Sequence, residues 1–332
     1  MLALCRKAGL SFMFKLKPTL QNSETLMRDA YCSTLMELAG AREDIVVLDA
    51  DLVSSSGMKP FFKAFPDRAI QCGISEANMI GVAAGLSLTG KVPYCHSFGP
   101  FASRRVCDQI FISAAYAKLN VRITGSDPGV TAAYNGGTHM PFEDMAVLRA
   151  IPDITLLEPC DPVALADLTR QLADTYGVYY TRMARKNAVG IYEPGSTFEI
   201  GKGNVLRNGT DVTIIASGIM VAEALEAASA LALEGVSARV VDMFTWKPID
   251  TELIARCGEE TGALVTAENH NIYGGLGSAV AEAAAKTVPV PIEMVGTDDR
   301  FGQVGTEAFL RNEYRLNAAH IVESAKRAIE RK

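Results

Sequence analysis

No two cysteines in this chain stand at C-x-x-C spacing, no stretch approaches the length of an apolar membrane span, and no block of lysine and arginine interrupts it. Each absence removes a class of function. The seven cysteines (Cys5, Cys32, Cys72, Cys95, Cys107, Cys160 and Cys257) are odd in number and scattered, most of them in apolar runs where a free thiol behaves as a small hydrophobe. That pattern argues against a disulfide framework or a zinc site and for a reducing compartment. A membrane helix needs roughly 18 uncharged apolar residues in a row, and none is found. The net charge of −6 is spread along the chain, so neither a nucleic acid nor a membrane surface is an expected partner. The expected ligand is small and the expected location cytoplasmic. Short-period repeats and low-complexity segments are also missing.

What is present is a chain of 332 residues, 48% of them hydrophobic, enough for two cores. The basic opening MLALCRKAGLSFMFKLK lacks the long apolar core and cleavage site of a signal peptide, and residues 1–22 are expected to be a disordered extension. From Ser23 the pattern becomes regular, with a helix expected from Ser23 onwards. IVVLDAD, AIQCG, VPYCHSF, NVRITGS, ITLLEP and VYYTRM alternate with helical segments, one of which runs from Glu76 to Leu88. Short continuous apolar strands between helices predict a parallel sheet covered on both faces. A stretch rich in Gly, Asn, Pro and charge, residues 187–208, reads as a linker. The alternation restarts with DVTIIASG, SARVVDM and GALVTAEN. The fold class is therefore α/β, with two doubly wound domains over residues 23–186 and 209–332, the second smaller.

In open α/β sheets, ligands sit beyond the carboxyl ends of strands. That rule selects the loops Asp49–Ser56, Gly73–Asn78, His96–Arg105 and Gly125–Met140. Glu76 stands where a strand ends and an apolar helix begins; it is either a helix-N-terminal acid favoured by the dipole or a desolvated carboxylate suited to exchanging a proton with a ligand. Phe98 and Phe101, three apart on a loop interrupted by Pro100, are either core packing or a flat wall for a heteroaromatic ring. His139, the imidazole of a long Gly-rich loop, is either structural or a group for proton transfer and hydroxyl binding.

In order, SETLMRDAY, VVLDADL, GISEANMIGVAAGLSLTG, YCHSFGPFASRR, GGTHMPFED and ITLLEPCDP resemble the pyrimidine-binding domain of transketolases. TDVTIIASGIMVAEALEAA, SARVVDMFTWKPID and AENHNIYGGLGSAVAE resemble the C-terminal domain of the same superfamily. The resemblance implies thiamine diphosphate as cofactor and covers nearly everything from Ser23 onwards. By it, Glu76 is the glutamate that shares a proton with N1′ of the aminopyrimidine, and Phe98 and Phe101 stack on that ring. His139 contacts sugar hydroxyls, as does the acidic Asp51. Arg28, Ser55 and Arg182 match the residues that hold a substrate phosphate, for which the planar guanidinium fork is suited. Two departures, Asn78 and Asn135, stand where the family carries a histidine and an acid, and they bear on the choice of sugar.

Missing, finally, is the Gly-Asp-Gly motif with which the superfamily holds Mg²⁺ and the diphosphate. IYGGLGSAVAE is the nearest Gly-rich stretch; it opens a helix and fits neither phosphate-loop spacing, so it is read as tight packing. The resemblance thus implies the small subunit of a split transketolase. A diphosphate-binding N-terminal subunit is the expected partner, in an α₂β₂ heterotetramer built on a homodimer core, with Mg²⁺ on the partner and phosphorylated sugars, such as apulose 4-phosphate, as substrates. The alternatives are the β subunit of a 2-oxoacid dehydrogenase, half of a deoxyxylulose-phosphate synthase, or a non-catalytic binding homologue.

Overall fold

The apolar runs form strands that are buried on both faces, and helices cover them. A computed structural model describes residues 13–332. In chain order the first strands are β1 (Leu16–Asn22), β2 (Ile45–Asp49), β3 (Ala69–Gln71), β4 (Val92–Phe98), β5 (Val121–Ser126), β6 (Ile154–Leu157) and β7 (Val178–Met183). They are followed by β8 (Val189–Tyr192), β9 (Asn204–Arg207), β10 (Val212–Ala216), β11 (Ala238–Asp242), β12 (Thr245–Lys247), β13 (Leu264–Asn271) and β14 (Ile292–Thr297). A seven-stranded sheet runs in the order β12-β6-β7-β5-β4-β2-β3, parallel except for β12. A five-stranded sheet runs β14-β13-β10-β11-β9, parallel except for β9. Every residue of β2, β4, β5 and β7 is buried, which is why these strands show no alternation of apolar and exposed polar residues. No helix among the described residues is long and apolar enough to cross a membrane.

Four expectations change. Of the extension, residues 13–22 are ordered: β1 pairs antiparallel with β8, and Phe14 packs edge-on against Tyr192 at 5.6 Å between ring centroids. Residues 1–12 lie outside the described residues. β1 is mostly exposed and held by backbone pairing to a strand far along the chain, so it leaves no burial pattern to read. The expected linker contains two strands, β8 and β9. Asp161 pins the first of these by accepting from the amides of Ile191 and Tyr192 at 2.9 and 2.8 Å, while its other oxygen caps the helix Pro162–Asp174. The first helix starts at Met27, not near Ser23, because the Met27 and Arg28 amides bond to the carbonyls of Lys186 and Arg185. And β12, from the second unit, crosses to pair with β6 at the edge of the first sheet.

The GGLG stretch opens the helix Leu276–Lys286, whose first amides are already taken. The buried Glu268 carboxylate accepts from Leu276 and Gly277 at 2.6 and 2.8 Å, and a Cβ at Gly275 would collide with it. The protein's own carboxyl group occupies this helix end. Burial raises the Glu268 pKa to about 8 despite those two donors. The folded state therefore holds the proton more tightly than the unfolded chain, and this group's contribution to stability declines as pH rises from about 4.5 towards 8. Glu268→Gln should flatten that decline: thermal midpoints of the two proteins, compared from pH 5 to pH 8, should shift progressively in favour of glutamine. A constant difference would overturn the assignment.

Candidate functional site

From β2 the chain steps outwards to β3, then back across to β4, so strand order reverses between β2 and β4. The crevice at their carboxyl ends is where an open α/β sheet takes its ligand. Glu76 reaches it from the loop after β3, as the first residue of the helix Glu76–Leu88. Its carboxylate is buried, 3% exposed. Ser97, on β4, donates to one oxygen at 3.3 Å, and Arg105 donates to the other at 2.8 Å. A carboxylate withdrawn from water and oriented by two donors can hold or pass a proton at a fixed point.

Phe98 ends β4 and Phe101 follows in the turn, their rings 6.3 Å apart. His139 comes from the loop after β5 and meets both edge-on, at 5.7 and 5.1 Å. Burial, then the charge of Arg105, push the His139 imidazole below its usual pKa, so it is neutral at physiological pH. The Arg105 guanidinium lies 3.8 Å above the Phe101 ring and that of Arg185 lies 5.3 Å from Phe98. Glu76, Phe98, Phe101 and His139 are thus brought together as the sequence predicts, with Ser97 and Arg105 as partners it did not single out.

A second cluster gathers beyond the ends of β2, β5 and β7. Arg28 donates to the Ser55 carbonyl at 3.2 Å and its amide bonds to the Arg185 carbonyl. Asp51 is exposed in the loop after β2, in the left-handed region (φ 63°) that Asp tolerates. Arg185 places its Nε 3.1 Å from Asp127, which is 1% exposed and also left-handed (φ 58°). Beyond that ion pair, several buried polar atoms at this edge have no hydrogen-bond partner: the Arg28 Nε, the Ser126 hydroxyl and both ring nitrogens of His96. Buried polar groups are rarely left unpaired, and a group of them at one strand edge calls for a polar partner.

Arg182 does not belong to this cluster. It lies inside β7, fully buried, with Nε on Asp144 at 3.0 Å, Nη1 on Glu158 at 2.5 Å and Nη2 on the carbonyls of Pro141 and Asn269. Burial alone would lower its pKa, but the two carboxylates hold it above the ordinary value. Its donors are committed to the seam between the two sheets, so the expected phosphate role is corrected to a structural one. Arg185, three residues on and past the end of the strand, is the arginine that reaches the site.

The family described as "Transketolase, pyrimidine binding domain" matches residues 23–189, and "Transketolase, C-terminal domain" matches residues 201–321. A 6-deoxy-6-sulfo-D-fructose transketolase subunit of Clostridium sp. (strain MSTE9) is 50% identical over 93% of this chain and 96% of its own length. An apulose-4-phosphate transketolase subunit of Phocaeicola vulgatus is 37% identical over 84% of this chain and 89% of its own. Among solved structures, "Split gene transketolase, inactive beta4 tetramer" superposes with a TM-score of 0.86 at 41% identity, covering 93% of this chain and all of that one.

Proposed function

Because the chain belongs to the transketolase family and has the extent of its separate subunits, we propose that it supplies the pyrimidine half of a thiamine-diphosphate site to a transferase active only with a partner chain, which holds the diphosphate and Mg²⁺. The observation that carries this is the buried Glu76 carboxylate beside the Phe98–Phe101 wall. A flat ring with one basic nitrogen fits that pair of features. Bound thiamine diphosphate supplies the electron sink for cleaving the bond next to a ketose carbonyl.

The chain's own residues do the rest. Glu76 holds the proton shared with the ring nitrogen, and Ser97 and Arg105 fix its two oxygens. Phe98 and Phe101 orient the ring and keep water from its faces. The neutral His139 hydrogen-bonds sugar hydroxyls, and so does Asp51. Arg28, Ser55 and Arg185 hold the anionic far end of the sugar. A two-carbon ketol unit passes between sugars with anionic ends; phosphorylated sugars are the broad class, and the 50% identity to a sulfofructose transketolase subunit favours a sulfonated donor as a second reading.

The helix Glu76–Leu88 supports a homodimer core. It leaves Ala77, Asn78, Gly81, Gly85 and Leu88 facing outwards, and nothing lies within 4 Å of a Cβ at either glycine. Phe111, Ile112 and Tyr116 are exposed nearby on a contacting segment, an apolar face suited to a second copy. Mixing the purified chain with its diphosphate-binding subunit, thiamine diphosphate, Mg²⁺ and a panel of ketose donors tests the proposal. Ketol transfer should require both chains, and transfer by this chain alone would overturn it.

A further inference from the structure

We infer that Asp127 sets the charge that the site accepts at the far end of the sugar, favouring a singly charged sulfonate over a doubly charged phosphate. This rests on the ketol-transfer reading above. Two arginines, Arg28 and Arg185, serve that end, and the Arg28 Nε is buried without a hydrogen-bond partner. Asp127 is buried against the second of them and pairs with its Nε at 3.1 Å. It follows directly on the end of β5, with its backbone in the left-handed region.

The balance of charge decides what fits. Arg28 and Arg185 against Asp127 leave one positive charge. The further charges nearby are exposed and screened by solvent: Lys186 acts on Asp127 from the loop, Asp29 sits 3.7 Å from the Arg28 Nε, and Asp51 lies in the loop after β2. On the sheet side, His96 is buried and held neutral, its pKa lowered by burial to about 3, and the buried Asp49, 3.9 Å from its Nδ1, has its pKa raised by burial and is held by Leu52, Ser56 and Gln71. Burial raises Asp127 to about 6 while Arg185, Lys186 and Arg28 hold it down, so it is ionised at neutral pH. A sulfonate brings one negative charge at any working pH. A phosphate monoester loses its second proton near about pH 6, and at neutral pH its second charge faces a carboxylate in a poorly solvated corner. A hydroxyl or amide in place of that carboxylate would leave room for the second charge.

The test uses the chain assembled with its diphosphate-binding subunit and compares kcat/KM for fructose 6-phosphate and 6-deoxy-6-sulfofructose at pH 7.5. The wild-type complex should prefer the sulfonate, and Asp127→Asn should move the ratio towards the phosphate by about tenfold or more. Asp127→Ser serves as a second variant with the same expected direction. A wild-type complex that prefers the phosphate overturns the inference without any variant. So does a ratio unmoved by both substitutions, and in either case the ketol-transfer reading stands. If the wild-type complex turns over neither donor, nor any other ketose, it is the reading itself that fails.

Discussion

Replacing Glu76 by glutamine in the assembled enzyme should lower kcat for ketol transfer by about 10²- to 10⁴-fold, the range that a positioned proton-transfer group contributes. The substitution is nearly isosteric. A glutamine oxygen can still accept from Arg105 or Ser97, so the helix start and the two contacts at 2.8 and 3.3 Å need little adjustment. What the amide cannot do is take up and return a proton at the point where the carboxylate now sits, 3% exposed and flanked by an aromatic pair. The loss should therefore fall on kcat, with assembly and thermal stability close to wild type. Full activity in the glutamine complex would remove Glu76 from the chemistry and leave it as the helix-terminal acid that its position alone also permits.

The second large effect is expected far from the chemistry. Arg182→Met should destabilise the chain by about 3–5 kcal/mol, the usual consequence of removing one partner from a buried ion pair. Asp144 and Glu158, both buried, would lose their shared cation. Their remaining donors, Tyr180 at 2.8 Å and Ser217 at 2.6 Å, are neutral hydroxyls. Urea unfolding of the isolated chain gives the number directly. If Arg182 instead bound the sugar's anionic end, its loss would raise KM for the donor and leave the unfolding midpoint in place; the committed guanidinium predicts the opposite pattern.

The difference between Arg182 and Arg185 shows what could be read from the amino-acid sequence. Both lie in the run YYTRMARK, three residues apart. Whether an arginine is buried in the sheet or stands at the ligand's edge depends on the last residue of the strand, and β7 ends at Met183. Applied strictly, the rule that ligands lie beyond strand ends selects the later arginine. The helix Glu76–Leu88 was legible to the residue and the strand Val92–Phe98 as an element, although His96 to Phe98 was also assigned to the loop that follows, because a fully buried strand and a helix start after a turn leave strong local patterns. Arg105 was not. It follows Arg104 directly, and nothing local distinguishes the one that folds back over Phe101 from the one that pairs with Glu143. Asp127 lies in one of the loops that the strand-end rule selects, but nothing local tells that it faces Arg185. β1, β8 and β12 escaped for a different reason: each is a short edge strand whose partner is distant in sequence or belongs to the other sheet.

The crossing of β12 also bears on where such an enzyme can be divided between genes. Cutting the polypeptide between its two sheets would strip β6 of its neighbour and leave an open strand edge, a template for pairing with other chains. It would also part Arg182 from the Asn269 carbonyl and Glu158 from Ser217. The segment 187–208 reads as a linker in the sequence, but a break there would yield two fragments prone to aggregate rather than two subunits. A boundary ahead of β1 cuts through none of these contacts.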